Sequence, residues 1–139
     1  MRDFLVSVGI VMMIAGCSSV PVDPATAKRV PQDRVADYTY TSPKPNTREL
    51  IIKRDSAMEA SGGDTRFYVN GVRTANIANG EVLRIYLPDG KYRLGVKTSG
   101  LDESNRPIQE IRVLVAENED SVFRIFWGAN GFSIQPSSF

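Results

Sequence analysis

Histidine and cysteine, two of the side chains most used in acid–base, nucleophilic and metal chemistry, are almost absent from this sequence. The chain has 139 residues, no histidine and one cysteine, Cys17. Histidine is the commonest general base and the commonest metal ligand. Zinc hydrolases and the serine–histidine and cysteine–histidine hydrolases are therefore excluded in their usual forms. The serines of the predicted loops also have no base beside them, so nucleophilic catalysis lacks support. The sequence predicts no enzyme activity, no cofactor and no metal site.

The one cysteine stands at the end of a short apolar run that begins at Phe4. This run has roughly 10 to 12 apolar residues, whereas a membrane-spanning helix needs about 20. Its length is typical of a cleaved secretory signal, which we expect over residues 1–16. The residues Ile14-Ala15-Gly16-Cys17 resemble the lipobox of bacterial lipoproteins, with isoleucine where leucine is usual.

This resemblance implies that Cys17 carries a diacylglycerol and begins the mature protein. Each buried methylene contributes about 0.8 kcal/mol, so several acyl chains such as palmitate would hold the protein permanently at a membrane. Ser18 stands where aspartate retains many lipoproteins at the inner membrane. We therefore expect a lipid anchor at the outer membrane, on its periplasmic face. The alternatives are an ordinary signal peptide with a chance cysteine, and a buried free thiol.

The segment after the cysteine is rich in proline and poor in large apolar side chains. Proline removes backbone donors and favours extended conformations in its neighbours. We expect residues 17–47 to form a disordered tether. Alternatively, residues 35–40 dock on the folded part as an edge segment, since Tyr38 and Tyr40 alternate with polar residues.

From Arg48 onward, polar and apolar residues alternate and turn signals recur. Asn70-Gly71 is the strongest hairpin signal, because both central residues of a type I′ turn need positive φ. No useful stretch has the period of a helix. The predicted strands are 48–54, 66–69, 72–77, 81–87, 91–97, 108–116, 121–127 and 132–135. Seven or eight short strands predict an all-β fold, a single small antiparallel β-sandwich over residues 48–139, or otherwise a small open barrel.

Three turn-rich stretches follow one another at residues 67–71, 77–81 and 87–92, and together they form a recognisable pattern. A short strand ends in Asn-Gly, a Gly-led turn follows, and Pro-Asp-Gly then precedes an aromatic residue. This layout resembles the small sandwich domains of uncharacterised proteobacterial lipoproteins and, more distantly, PEGA-type surface repeats. The strand at residues 50–55 and the loop with Gly62-Gly63 fit the same lipoprotein pattern, so the resemblance covers about residues 48–97. Tyr92 stands where such domains often carry histidine. The resemblance implies an envelope protein with no assigned catalysis, and no functional residue can be carried over.

Alternation along the strands assigns one set of apolar side chains to the core. They are Phe67, Val69, Leu83, Ile85, Leu87, Tyr92, Leu94, Val96, Ile111, Val113, Val115, Phe123, Ile125 and Trp127, with Ile134 and either Leu50 or Ile51. The same alternation predicts that Trp127 fills the core at the end of its strand. The alternative is a sugar-stacking platform formed with Phe126.

The opposite parity carries arginine residues with interleaved aromatic residues. If the strands are neighbours, one basic sheet face would contain Arg84, Tyr86, Arg93, Lys97, Arg112, Arg124 and Phe126. Such a face could bind phosphates or carboxylates of the envelope, because arginine offers bidentate geometry. The alternative is a solvated face whose charges pair with Glu81 and Glu110. The net charge of +1 gives no long-range attraction to nucleic acid.

These features predict a non-catalytic binding or accessory module of the cell envelope. Its partner would be an envelope protein or an anionic envelope polymer. The alternative is an inhibitor of a cell-wall-degrading enzyme such as lysozyme, acting through the loops 55–65 and 98–106. The acidic turn 117–120 lacks the residue order of a calcium loop.

Overall fold

The computed structural model describes residues 20–56, 64–98, 107–128 and 131–138. The predicted signal segment and Cys17 lie outside these residues. Within them the chain forms nine strands and one 3-10 turn at Gln32–Arg34. The strands are β1 Lys28–Arg29, β2 Thr47–Arg54, β3 Thr65–Val69, β4 Val72–Ile77, β5 Glu81–Pro88, β6 Gly90–Thr98, β7 Gln109–Val115, β8 Val122–Gly128 and β9 Gly131–Pro136.

The strands form two sheets packed face to face, with the orders β1-β5-β2-β8-β9 and β4-β3-β6-β7. The predicted all-β sandwich is confirmed. Most neighbours are antiparallel, but β1 pairs with β5 and β2 with β8 in parallel. Turn signals specify only partners that follow each other along the chain, so these parallel pairs could not be read from the sequence.

Local turn chemistry fixes the hairpin between β3 and β4. Asn70 and Gly71 have φ angles of 51° and 78°, as a type I′ turn requires. The register between the two strands shifts after Phe67, and Thr74 is the β4 residue that faces no partner. The carbonyl of Thr74 instead accepts hydrogen bonds from the backbone N–H groups of Ala36 and Asp37.

The core lies between the two sheets and contains most of the predicted side chains. Leu50, not Ile51, faces inward, and Ile52, Ala75, Ile77 and Phe132 are buried there as well. Tyr92, Ile111 and Val113 are only partly buried and pack against the core. These three lie in β6 and β7, at one side of the sandwich.

The assignment of Trp127 to the core is wrong. Its side chain is 43 % exposed, although it points to the inner side as parity predicts. Trp127 pairs with Phe132 across β8 and β9, and the two rings meet edge to face with centroids 5.0 Å apart. Phe132, the cross-strand partner of Trp127, is the aromatic residue of this pair that is buried. Trp127 therefore lies beyond the core, at the end of its strand.

The structure does not show the expected tether over residues 20–47. This segment, which we call the strap, crosses the five-stranded sheet and runs along its edge. Val20 bridges Ser56, and Lys28 and Arg29 pair with β5. Five prolines did not prevent docking, because the strap forms scattered backbone hydrogen bonds instead of a long ladder.

The alternative prediction, docking of residues 35–40, describes what the structure contains. Val35 bridges Ala75 of β4, and the carbonyl of Tyr40 accepts a hydrogen bond of 2.8 Å from the N–H of Tyr86. The strap thus links the outer edges of β4 and β5, which belong to different sheets. Unpaired strand edges promote association with other chains, and the strap covers two of them.

At each end of the sandwich, strand ends of the two sheets lie next to each other. Arg34 bonds both Asp64 beside β3 and Glu81 at the start of β5, so these strand starts are adjacent. At the opposite end, Arg48 of β2 bonds Asp89 in the turn between β5 and β6. We call the first the strap end, because Val20 lies there, and the second the hairpin end, because it holds the β3–β4 turn.

Candidate anion-binding face

The seven residues predicted to form one basic face lie on two opposite faces of the sandwich. Arg84, Tyr86, Arg124 and Phe126 belong to β5 and β8 of the five-stranded sheet, whereas Arg93, Lys97 and Arg112 belong to β6 and β7 of the other. The prediction of a single face is therefore wrong. Alternation with a period of two separates inside from outside but does not tell which sheet a strand joins.

The arginines on the five-stranded sheet are held by neighbouring groups. Arg84 Nη1 donates to Glu49 Oε1 at 3.0 Å, and its Nη2 donates to the carbonyl of Pro24 at 3.4 Å. Tyr86 donates its hydroxyl to the same Glu49. Arg124 forms an ion pair with the buried Asp55. These cations therefore stabilise the strap and the sheet.

A fully buried lysine lies under the strap on this sheet. Lys53 Nζ donates to the carbonyl of Val22 at 2.9 Å. Desolvation by burial lowers the pKa of Lys53, while the nearby Asp55 opposes that shift. The neutral form is thus favoured more than in an exposed lysine. Lys53 holds the first part of the strap against β2.

The next residue, Arg54, points to the opposite side of β2. Its Nη1 donates to the carbonyl of Ile77 at 2.8 Å, and its guanidinium lies 4.5 Å from the ring centre of Phe132. Burial lowers the pKa of Arg54, but a guanidinium stays charged in proteins. Arg54 closes the strap end of the core.

The outer face of the four-stranded sheet has a very different charge pattern. We call it the basic face. Its described side chains follow from the pairing registers: Arg66 and Tyr68 of β3, Arg73 of β4, Lys91, Arg93 and Lys97 of β6, and Glu110, Arg112 and Leu114 of β7. Among these residues, six are cationic and one is a carboxylate.

Half of this cationic set was missed in the sequence. Arg66, Arg73 and Lys91 were not among the predicted face residues. Arg66 and Lys91 could have been predicted to face outward, because each alternates with the core residues of its strand. Arg73 carried no such signal, because the bulge at Thr74 shifts the parity of β4.

Several of these cations form no ion pair with a carboxylate of the described ranges. Arg93 pairs with Glu110 at 3.4 Å, and Arg73 donates twice to Asn76 Oδ1. In the part of the chain that the structure describes, no carboxylate lies within ion-pair distance of Lys91, Lys97 or Arg112. Arg112 stands directly opposite Arg93 in the register.

A shallow concavity of about 570 Å³ lies on the basic face near the hairpin end. Its lining residues are Asn70, Lys91, Tyr92, Arg93, Arg112, Val113 and Leu114. The hairpin turn is fixed beside it, because Asn70 accepts a hydrogen bond of 2.9 Å from the N–H of Arg93 and donates one of 2.8 Å to its carbonyl. Three cations thus surround an open site on a rigid sheet.

The other predicted sites are only partly within the described residues. The loop 55–65 is described at residues 55, 56, 64 and 65, and the loop 98–106 only at residue 98. Across the described ranges, no three His, Cys, Asp or Glu residues cluster as a metal site would require. No helix found in those ranges has the length and apolar character needed to cross a bilayer.

Comparisons of this chain with protein-family models, with curated proteins and with solved structures find no match. Its function must therefore be inferred from its own residues and their contacts.

Proposed function

We propose that this protein is a membrane-anchored lipoprotein of the bacterial cell envelope and acts as a non-catalytic binding module. Its basic face binds an anionic polymer of the envelope. The anchor is the lipid on Cys17, at the periplasmic side of the outer membrane. This assignment of the anchor is supported by the lipobox-like residues 14–17 alone.

The observation that carries the binding role is the group of cations on the basic face that form no ion pair with a described carboxylate, namely Lys91, Lys97 and Arg112. The whole chain has a net charge of only +1, yet the described part of the basic face has six cations against one carboxylate. On the five-stranded sheet, by contrast, Arg84 and Arg124 are neutralised by Glu49 and Asp55. Such an arrangement creates a local positive potential on one face.

This charge arrangement lowers the stability of the folded sheet, so folding does not explain it. Arg93 and Arg112 are cross-strand partners, and like charges directly opposite each other destabilise a sheet. Glu110, one pair further along β7, offsets the charge of Arg93 but leaves Arg112 without a carboxylate within the described residues. A bound anion would relieve this repulsion, which favours a binding role for the pair.

The shape of the face favours an extended polymer over a small molecule. Pockets for small ligands usually enclose most of the ligand's surface, whereas the concavity here is shallow and open, and three of its seven lining residues are cationic. Alternate residues of a strand stand about 6.6 Å apart and neighbouring strands about 4.8 Å apart. Lys91, Arg93 and Arg112 therefore present a regular array to successive phosphates or carboxylates.

Binding by charge-reversed variants tests this proposal. The probes are polyphosphate and poly-L-glutamate, which separate phosphate from carboxylate recognition, with neutral dextran as the blank. The protein is the chain that begins at Ser18, so that the strap is kept. We expect Arg93→Glu with Arg112→Glu to weaken binding of at least one polyanion about tenfold or more.

The matched control is Lys28→Glu with Arg29→Glu, because both residues are exposed on β1 of the other sheet and the charge change is identical. This control should retain most of the affinity. Equal losses in the two double variants would mean that net charge, not the basic face, governs binding. Absence of binding by the unchanged chain to both polyanions would reject the proposal.

A further inference from the structure

We propose that the strap end of the sandwich rests on the bilayer, with Trp127 at the membrane interface beside the lipid on Cys17. This inference rests on the proposed membrane anchor. It adds that the domain is held at the surface in a fixed orientation, and it identifies the end that contacts lipid.

The first step concerns where the anchor must lie. Val20 is fixed to β2 by two hydrogen bonds with Ser56, of 2.8 and 2.9 Å. Cys17 precedes Val20 by three residues, and an extended chain spans at most about 3.6 Å per residue. Whatever path the chain takes, the two residues are therefore within about 11 Å of each other. The anchor cannot hold this domain at a distance, as a tether of thirty residues would.

The second step places Trp127 at the same end. Strands β2 and β8 run in parallel, with Arg54 beside Ile125, and the N–H of Asp55 donates to the carbonyl of Ile125. Trp127 follows Ile125 by two residues, as Ser56 follows Arg54. Val20 and Trp127 flank Ser56 on opposite sides, and two strand spacings amount to about 10 Å.

The third step concerns what these residues prefer. Val20 is 61 % exposed and Trp127 43 % exposed, and the edge contact with Phe132 fixes the indole in place. Tryptophan is enriched at membrane–water interfaces, because its ring is apolar and its N–H is polar. A 43 % exposed indole at the end of the sandwich that holds Val20 therefore favours contact with a bilayer surface.

The orientation also determines how the basic face is presented. Lys91 and Thr98 are separated by seven residues along β6, which corresponds to about 23 Å of strand. With the strap end on the bilayer, Lys91 and its neighbours Arg93 and Arg112 stand about 20 Å above it. That height directs the concavity toward a polymer in the periplasm and away from lipid headgroups.

The test uses the fact that Trp127 is the only tryptophan of the chain. The chain from Cys17 to the end is coupled through its single thiol to a maleimide lipid in vesicles of phosphatidylethanolamine and phosphatidylglycerol. Quenching of the indole by aqueous acrylamide is compared with that of the same uncoupled chain in solution. We expect about a twofold decrease in the quenching constant, since the 43 % exposed indole becomes shielded.

The control moves the tryptophan to the other end of the sandwich. Val72 is 54 % exposed in the β3–β4 hairpin, so the variant Trp127→Phe with Val72→Trp reports from the hairpin end. Its quenching should not change on coupling. Equal quenching of Trp127 in the coupled and uncoupled chains, or equal protection of both tryptophan positions, would overturn the inference.

Chemical coupling separates this result from the proposed function. It supplies the anchor whether or not the host acylates Cys17, which mass spectrometry of the protein from its host determines independently. Protection of Trp127 with an unmodified Cys17 in the host would support the geometry and reject the native anchor. An acylated Cys17 without protection of Trp127 would support the native anchor and reject the proposed orientation.

Discussion

At the scale of single residues, one substitution in the cross-strand pair Arg93 and Arg112 should have opposite effects on stability and on polyanion binding. In Arg112→Glu, the new carboxylate would face Arg93 directly. Favourable cross-strand charge pairs contribute about 0.2 to 1 kcal/mol, so we expect the free energy of unfolding in urea to rise by about 0.5 kcal/mol. Affinity for the polyanion should fall in the same variant. A loss of both stability and affinity would indicate a structural role for Arg112.

Lys53 gives the folded state a pH dependence whose sign can be derived. Its pKa in the fold lies below the ordinary value of 10.5. Between these two values the unfolded chain binds more protons, so the free energy of unfolding rises with pH. The charges around the amine are Asp55 and Asp23, which raise its pKa, and Arg124, which lowers it.

We therefore expect the stability of the unchanged chain, relative to Lys53→Met, to increase as the pH approaches 10.5. Tyr86 and Tyr92, whose pKa values are raised chiefly by burial, act in the opposite direction, but they are present in both proteins and cancel in the difference. Urea unfolding at several pH values measures the effect. A difference that is independent of pH would mean that Lys53 is not desolvated.

At the scale of elements, the strap completes the sandwich. It pairs with the edge of β5, bridges β4 and bonds the buried Lys53. A chain that begins at Pro43 would expose both strand edges and this amine. We expect it to unfold at lower urea concentration than the chain that begins at Ser18, and to associate as concentration increases. Analytical ultracentrifugation and urea titration measure these effects, and identical behaviour of the two chains would contradict the role of the strap.

The elements also show which parts of the fold local sequence determines. Strand positions followed from alternation and from turn residues such as Asn70-Gly71, whose φ angles depend on few neighbours. The strap could not be derived in the same way. Its prolines suggested an extended tether, whereas its docking depends on isolated contacts of residues such as Val35 and Tyr40 with distant strands.

At the scale of the whole molecule, the sandwich divides its cations into two groups with different roles. Arg84 and Arg124 of the five-stranded sheet pair with carboxylates, whereas Lys91, Lys97 and Arg112 of the four-stranded sheet form no ion pair with a carboxylate of the described residues. The sequence identified Arg84 and Arg93 as equivalent, because both lie outward at mid-strand. Only the assignment of β5 and β6 to different sheets distinguishes them. That assignment depends on long-range pairing, such as β2 with β8, which no local pattern encodes.

The proposal that the basic face binds anionic polymers can be tested most directly by mapping the contact. An isotope-labelled chain that begins at Ser18 is titrated with polyphosphate, and amide chemical shifts are followed by nuclear magnetic resonance. We expect the largest changes in β3, β6 and β7, centred on Arg93 and Arg112 and suppressed at high salt. Changes centred on the five-stranded sheet, or no changes on either sheet, would contradict the proposal.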